Sequence, residues 1–181
     1  MTARDGYAPG PARDARIRQD GEKWTLILVR ELRHPPEKVW RALTEPELLR
    51  EWAPFDADRS LGTAGTVAKL TTVGAPQPHV TETTVARAEA PRVLEFNWGE
   101  GDLRWELEPV EDGTRLTLWA QIGRRWIALG AAGWHLCLDV LDRFLGGAPI
   151  GRIVGPDAFR VPGFQRLHAE YAEMFGVEVA N

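Results

Sequence analysis
A chain of 181 residues, 44% hydrophobic and 27% charged, has the size and composition of one globular domain that closes its core without disulfides or metals. Its formal net charge of -4, with Lys and Arg dispersed along the chain, offers no basic cluster for a nucleic-acid backbone or an anionic membrane. Cys137 is the single cysteine, which excludes an intramolecular disulfide, and eight tryptophans against two tyrosines point to bulky apolar filling or cavity lining.

The start MTARDGYAPG lacks the apolar segment of a secretory signal. No run nears the roughly 20 uninterrupted apolar residues of a membrane span. The apolar stretch from Trp126 to Leu145 is broken by His135, Asp139, Asp142 and Arg143. The expectation is a cytoplasmic protein without membrane insertion.

Residues 1–22 are rich in Gly, Pro, Arg and Asp, show no hydrophobic period and read as a mobile leader, with an edge strand near Ile17 as an option. From Trp24, Leu26 and Leu28 alternate with Thr25, Ile27 and Val29, a strand with apolar groups on both faces and hence a central one. Pro35 and Pro36 stop it and open a helix carrying Val39, Trp40 and Leu43. A second short helix, Glu47 to about Trp52, ends at Pro54. Runs at 66–73, 79–88, 93–98, 103–110 and 115–122, separated by turn-forming residues, read as an antiparallel meander. After Gly123, Trp134, Leu138, Leu141 and Leu145 define a long helix closed by Gly146 and Gly147. A Gly- and Pro-rich loop over 147–163 leads to a terminal amphipathic helix with Phe164, Leu167, Tyr171 and Phe175 on one side. One α+β domain over 23–176 and a tail at 177–181 result.

Chemistry-bearing motifs are sparse. Ser60 and Cys137 stand outside any nucleophile motif, and His34, His79, His135 and His168 are too widely spaced for a metal unit. The glycines at 146–147 and 151–155 lack the Lys-Ser/Thr of a phosphate loop. No catalytic residue, metal or cofactor is assigned. His135 and Asp139 share a helix face at a spacing of four, the one hint of acid-base machinery, but with no nucleophile or second carboxylate beside them a structural pair is the favoured reading. Glu95, Glu106 and Glu108 fall on the solvent side of their strands. Phe96 and Trp98, Leu103 and Trp105, and Leu118 fall on the opposite side, where each reads either as core or as the wall of a cavity.

The element order, the run Pro-Pro-Glu-Lys-Val-Trp-Arg-Ala-Leu-Thr-Glu-Pro at 35–46 and the run Gly-Trp-His-Leu-Cys-Leu-Asp at 133–139 together resemble the START-like (SRPBCC) superfamily. The closest branch is that of the C-terminal domain of the activator of Hsp90 ATPase. The resemblance implies a helix-grip fold, a curved antiparallel sheet around the long helix, with an apolar cavity between them. It implies ligand contacts from Trp52, Phe55, Phe96, Trp98, Leu103, Trp105, Leu118, Trp134, His135 and Leu138. Hsp90 stimulation does not carry over with it. Three functions follow: a non-catalytic binder of an apolar or aromatic small molecule; a cyclase or dehydratase using His135 and Asp139, or Arg104, on a bound carbonyl compound; and a stress-related interaction protein or homodimer working through its outer sheet surface.

Overall fold
Alternating polarity along the strands decides the architecture. The computed structural model describes Thr2 and residues 4–181. In chain order it contains β1 (Ala15–Asp20), β2 (Lys23–Leu32), α1 (Pro36–Thr44), α2 (Pro46–Leu49), β3 (Phe55–Ala57), β4 (Val67–Thr72) and β5 (His79–Thr84). Then follow β6 (Arg87–Glu89), β7 (Val93–Trp98), β8 (Gly101–Val110), β9 (Gly113–Gln121), a 3-10 turn (Arg124–Trp126), α3 (Ile127–Leu145), α4 (Pro156–Phe159) and α5 (Phe164–Phe175). Six antiparallel strands form one sheet in the order β1-β2-β9-β8-β7-β6, and β3-β4-β5 form a second.

Register turns the sequence pattern into a surface. Leu28 pairs with Leu118, Leu118 with Trp105 and Trp105 with Leu94. Leu26, Ala120, Leu103 and Phe96 make the adjacent row. Because side chains alternate across a strand, both rows face one side, and all eight residues are buried there beneath the helices. This is the helix-grip arrangement that the sequence predicts, with α1 and α2 between β2 and the meander and α5 added after α3. No described helix is long and apolar enough to cross a membrane.

Several expected boundaries move. The 79–88 run divides into β5 and β6 because consecutive amides serve different sheets: Val85 N–H donates to Thr66 O, whereas Ala86 N–H donates to Glu95 O. The second short helix ends at Leu49, and the turn that follows holds Trp52 through Trp52 N–H to Leu49 O. The 147–163 loop is a strap that contains α4, opened by Pro156.

The larger correction concerns residues 1–22. Met1 and Ala3 lie outside the described residues, but the rest of the supposed leader is packed onto the domain. Strand β1 pairs with β2 from Ala15↔Leu28 to Asp20↔Lys23. Tyr7 is buried and donates its hydroxyl proton to Asp139 Oδ2 at 2.6 Å. Ala12 N–H donates to Glu170 at 2.9 Å, and Arg166 donates to Pro9 O at 2.9 Å. Polar anchors far along the chain, rather than a local hydrophobic period, hold this arm.

The strap meets the β4–β5 turn backbone against backbone. Gly155 has φ 59 and ψ -136, a region open in practice to glycine alone, and a Cβ there would lie 2.5 Å from Gly74 O. Gly155→Ala is expected to lower the unfolding free energy by about 2–3 kcal/mol in urea titrations. Gly151→Ala, at φ +78 but with open space around it, should cost about 1 kcal/mol. Equal losses in the two variants would show that the close approach contributes nothing.

Candidate functional site
Beneath α3 the concave side of the sheet is filled by aromatic rings touching edge to face. Trp52 meets Trp105 at 5.8 Å between centroids, Trp105 meets Trp134 at 5.5 Å, and Trp134 meets Trp98 at 6.0 Å. The series continues from Trp98 to Phe55 at 5.3 Å and from Phe55 to Phe96 at 5.8 Å. Such contacts satisfy the ring quadrupoles and add about 0.5–1.5 kcal/mol per pair beyond area burial. Trp52 Nε1–H donates to Ala42 O at 2.9 Å and Trp98 Nε1–H to Thr72 Oγ1 at 3.0 Å, so these two indoles are satisfied internally.

The void lies beside the two middle members of this series, Trp134 and Trp98. A cavity of about 340 Å³ opens between α3 and the strap, with Trp98 and Trp134 on its floor and Leu129, Cys137, Ile153 and Val154 in its walls. A second lobe of about 260 Å³ adjoins it across Trp98, Ile122 and Trp134 and reaches Thr72 and Gln121. Glycines create the helix-side wall: Gly130 and Gly133 both border the cavity, and a Cβ on Gly133 would meet nothing within 4 Å. The strap-side wall is held by Arg152, whose Nη1 donates to Asp56 Oδ1 at 2.8 Å and to Ala53 O at 3.3 Å.

The main cavity has no charged lining. Its one titratable side chain is Cys137, whose thiol is pushed up to about 12 by burial and stays neutral. Trp134 borders both lobes, and its indole N–H finds no protein acceptor among the described residues. Nor is it one of the fully sealed orphan atoms, which are Arg30 Nε, Thr81 Oγ1, Arg104 Nε and His168 Nε2. An available indole donor in an apolar wall can orient a guest that carries an acceptor, and Trp126 brings a further indole to the same cavity.

The ten residues expected to contact a ligand therefore separate. Trp98 and Trp134 border the main cavity, and Leu103 borders the smaller lobe. Trp52, Phe55, Phe96, Trp105, Leu118 and Leu138 are buried core, because the rings that would have lined the hollow occupy it. His135 contacts other partners altogether. Among what the sequence reading missed are Ile122, Leu129, Gly130, Gly133, Cys137 and the strap. Gly130, Gly133 and Cys137 do carry a signal, three small residues at helical spacing on one side of α3.

His135 belongs to a buried polar cluster that joins β2, α3 and α5. Its Nδ1 accepts from Tyr171 Oη at 2.7 Å and lies 3.2 Å from Arg30 Nη2, which also donates to Tyr171 Oη at 3.0 Å. A guanidinium beside Nδ1 requires that nitrogen to be unprotonated. The proton is then on Nε2, which faces Asp139 Oδ2 at 3.5 Å. Burial lowers the imidazole to about 4; Asp139 opposes the shift and Arg30 reinforces it. Arg30 is 3% exposed and meets no carboxylate among the described residues; Nη1 donates instead to Arg13 O and Val29 O. The pair at 135 and 139 thus clasps α5 and the N-terminal arm to α3. Arg104, the other acid-base candidate, lies on the outer sheet face, paired with Glu95 and Glu106 and stacked over Trp119 at 5.4 Å. Among the described residues no group of three or more His, Cys, Asp or Glu side chains gathers as a metal site.

A histidine kept neutral in the fold makes stability fall with pH. The unfolded imidazole binds a proton as pH drops through 6.5, whereas the folded one resists until about 4, so stability declines across that window and then levels off. Between pH 7 and pH 5 His135 should account for a loss of about 2 kcal/mol in urea unfolding. His135→Gln should be less stable at pH 7 yet show a flatter dependence over the same range; an unchanged slope would contradict the neutral buried imidazole.

Comparison with known proteins places this geometry. The sequence family described as "Activator of Hsp90 ATPase homolog 1-like protein" matches residues 33–146. No curated protein matches significantly. Among solved structures, the conserved protein of unknown function EF2215 from Enterococcus faecalis aligns with a TM-score of 0.67 at 17% identity, over 88% of this chain and 89% of its own. CalU16 from Micromonospora echinospora aligns with a TM-score of 0.63 at 21% identity, over 94% and 97%. SSP2350 from Staphylococcus saprophyticus gives a TM-score of 0.61 at 21% identity, over 72% and 98%. At these identities the structural likeness speaks for the fold alone, and it agrees with the sequence match over α1, α2, the meander and α3. The chain belongs to the Activator of Hsp90 ATPase homolog 1-like family.

Proposed function
We infer that this protein binds a neutral, largely apolar small molecule in the cavity between α3 and the strap, without turning it over. The observation that carries the reading is an uncharged cavity of about 340 Å³ bordered by three indoles, within the size range of small-molecule sites. The indole N–H of Trp134 favours a guest with a carbonyl or ether oxygen over a pure hydrocarbon. A carboxylate or phosphate would be left there without a counter-charge, at a large desolvation cost. The acid-base groups of the enzyme alternative stand elsewhere: His135 and Asp139 in the clasp, Arg104 on the outer face. The lone buried thiol of Cys137 fits a reducing cytoplasm as the setting.

The test is a thermal-shift and calorimetric panel of neutral aromatic ketones, matched hydrocarbons and matched carboxylates. Ketones should raise Tm through binding to the native state, and carboxylates of the same size should not. Gly133→Leu places a side chain in the open space while improving helix propensity by about 1 kcal/mol, so it should abolish binding without loss of stability. Trp134→Phe should reduce the preference for ketone over hydrocarbon about fivefold, the worth of one hydrogen bond. Silence across the neutral compounds, or full binding by Gly133→Leu, would refute the reading.

A further inference from the structure
The rim of the cavity carries features that ligand binding alone does not use. Two large apolar side chains near it are about half exposed: Trp126, 46% exposed, where the 3-10 turn enters α3, and Phe159, 55% exposed, at the end of α4 with its ring edge-on to Phe164. Trp126 borders the cavity directly, and so does Ala158, the neighbour of Phe159. The Trp126 ring therefore belongs to the helix-side wall of the opening, and Phe159 directly follows the residue that α4 contributes to its strap-side wall.

Arginines accompany both rings. Arg124 and Arg125 precede Trp126, Arg160 follows Phe159, and all three are exposed. Arg125 lies 4.9 Å over the Trp126 ring and Arg124 5.8 Å over Trp24, and neither pairs with a carboxylate among the described residues. Asp157 is the nearby acid, and it faces Arg160 at 3.5 Å and Arg4 at 3.4 Å, so one carboxylate serves two guanidinium groups. The rim holds surplus positive charge on a chain whose formal net charge is -4. Arg124 and Arg125 belong to the turn that enters α3, and Arg160 follows α4 in the strap.

We propose that this rim docks peripherally on a bilayer containing anionic phospholipid. Trp126 and Phe159 enter the boundary between headgroups and acyl chains, and Arg124, Arg125 and Arg160 meet lipid phosphates. A protein partner is the weaker match, because two half-exposed rings offer roughly 200 Å² of apolar surface. A stable protein interface needs about 800 Å² on each side. Docking in this way turns an uncharged cavity toward the apolar phase in which a neutral guest dissolves, so the guest passes between bilayer and cavity without crossing bulk water.

Co-flotation of the full chain with phosphatidylglycerol and with phosphatidylcholine vesicles, with no added guest, tests this. Binding to the anionic vesicles, weakened by salt and absent from the zwitterionic ones, is expected. Arg124→Glu combined with Arg125→Glu should lower partitioning at least about tenfold. Trp126→Ser combined with Phe159→Ser should abolish it, while the circular-dichroism spectrum at room temperature shows the fold retained, since both rings are only half buried. No flotation of the unaltered protein with anionic vesicles, or flotation that survives both double variants, overturns the proposal. A concentration-dependent dimer in light scattering that Trp126→Ser dissolves would assign the rim to a second copy and overturn it as well.

Discussion
Trp105 sits at the centre of the packing on which the rest of the molecule depends. It receives Trp52 edge-on from the α2 side and Trp134 edge-on from α3, and it projects from β8 in the row that includes Leu118 and Leu94. Ring against ring, these contacts set the distance of α3 from the sheet and occupy the space that sheet curvature would otherwise leave. The remaining void is therefore pushed toward Trp98, where the ring series approaches the surface. There α3 contributes Gly130 and Gly133 in place of bulky side chains. Filling and hollow are two consequences of one arrangement: large rings at one end of the helix–sheet gap, glycine at the other.

Neighbouring residues on α3 have opposite duties. Trp134 joins the ring series and borders the cavity, whereas His135 meets Arg30 and Tyr171 in a buried polar cluster. A guanidinium deep in the fold is stabilised only if its protons are accepted, and here a neutral imidazole, a phenol and two backbone carbonyls share the task. Asp139 then holds Nε2 of the same imidazole and accepts from Tyr7. The cluster ties β2, α3, α5 and the N-terminal arm together at a point separate from the cavity. Its titration bears on stability and leaves the cavity uncharged.

The strands of the large sheet were legible in the sequence wherever a strand alternates against one core face, as from Trp24 to Val29 and from Val93 to Ile122. The arm was not, because its anchors are single polar contacts spanning 132 residues for Tyr7–Asp139 and 158 for Ala12–Glu170. Trp98 and Trp134, expected to face a hollow, do border the cavity. Whether Trp52, Phe55 and Trp105 line a hollow or fill it depends on edge-to-face geometry, which no local pattern encodes. The spacing of His135 and Asp139 correctly placed both on one helix face. Which face it was depended on Arg30, 105 residues away, and Tyr171, 36 residues away. An arginine inside the apolar strand that holds Leu26 and Leu28 was the available clue. Likewise, no local pattern showed that the turn bearing Arg124 and Arg125 and the strap bearing Arg160 border one cavity, through Trp126 and Ala158.

Xenon separates a filled gap from a hollow one, since it occupies dry apolar voids without needing polar partners. Crystals pressurised with xenon should show the gas against Trp134, Gly133 and Cys137, and none between Trp52 and Trp105. Xenon lodged between those two indoles, or no xenon beside Gly133, would contradict the claim that aromatic packing closes the centre and leaves the cavity at the strap.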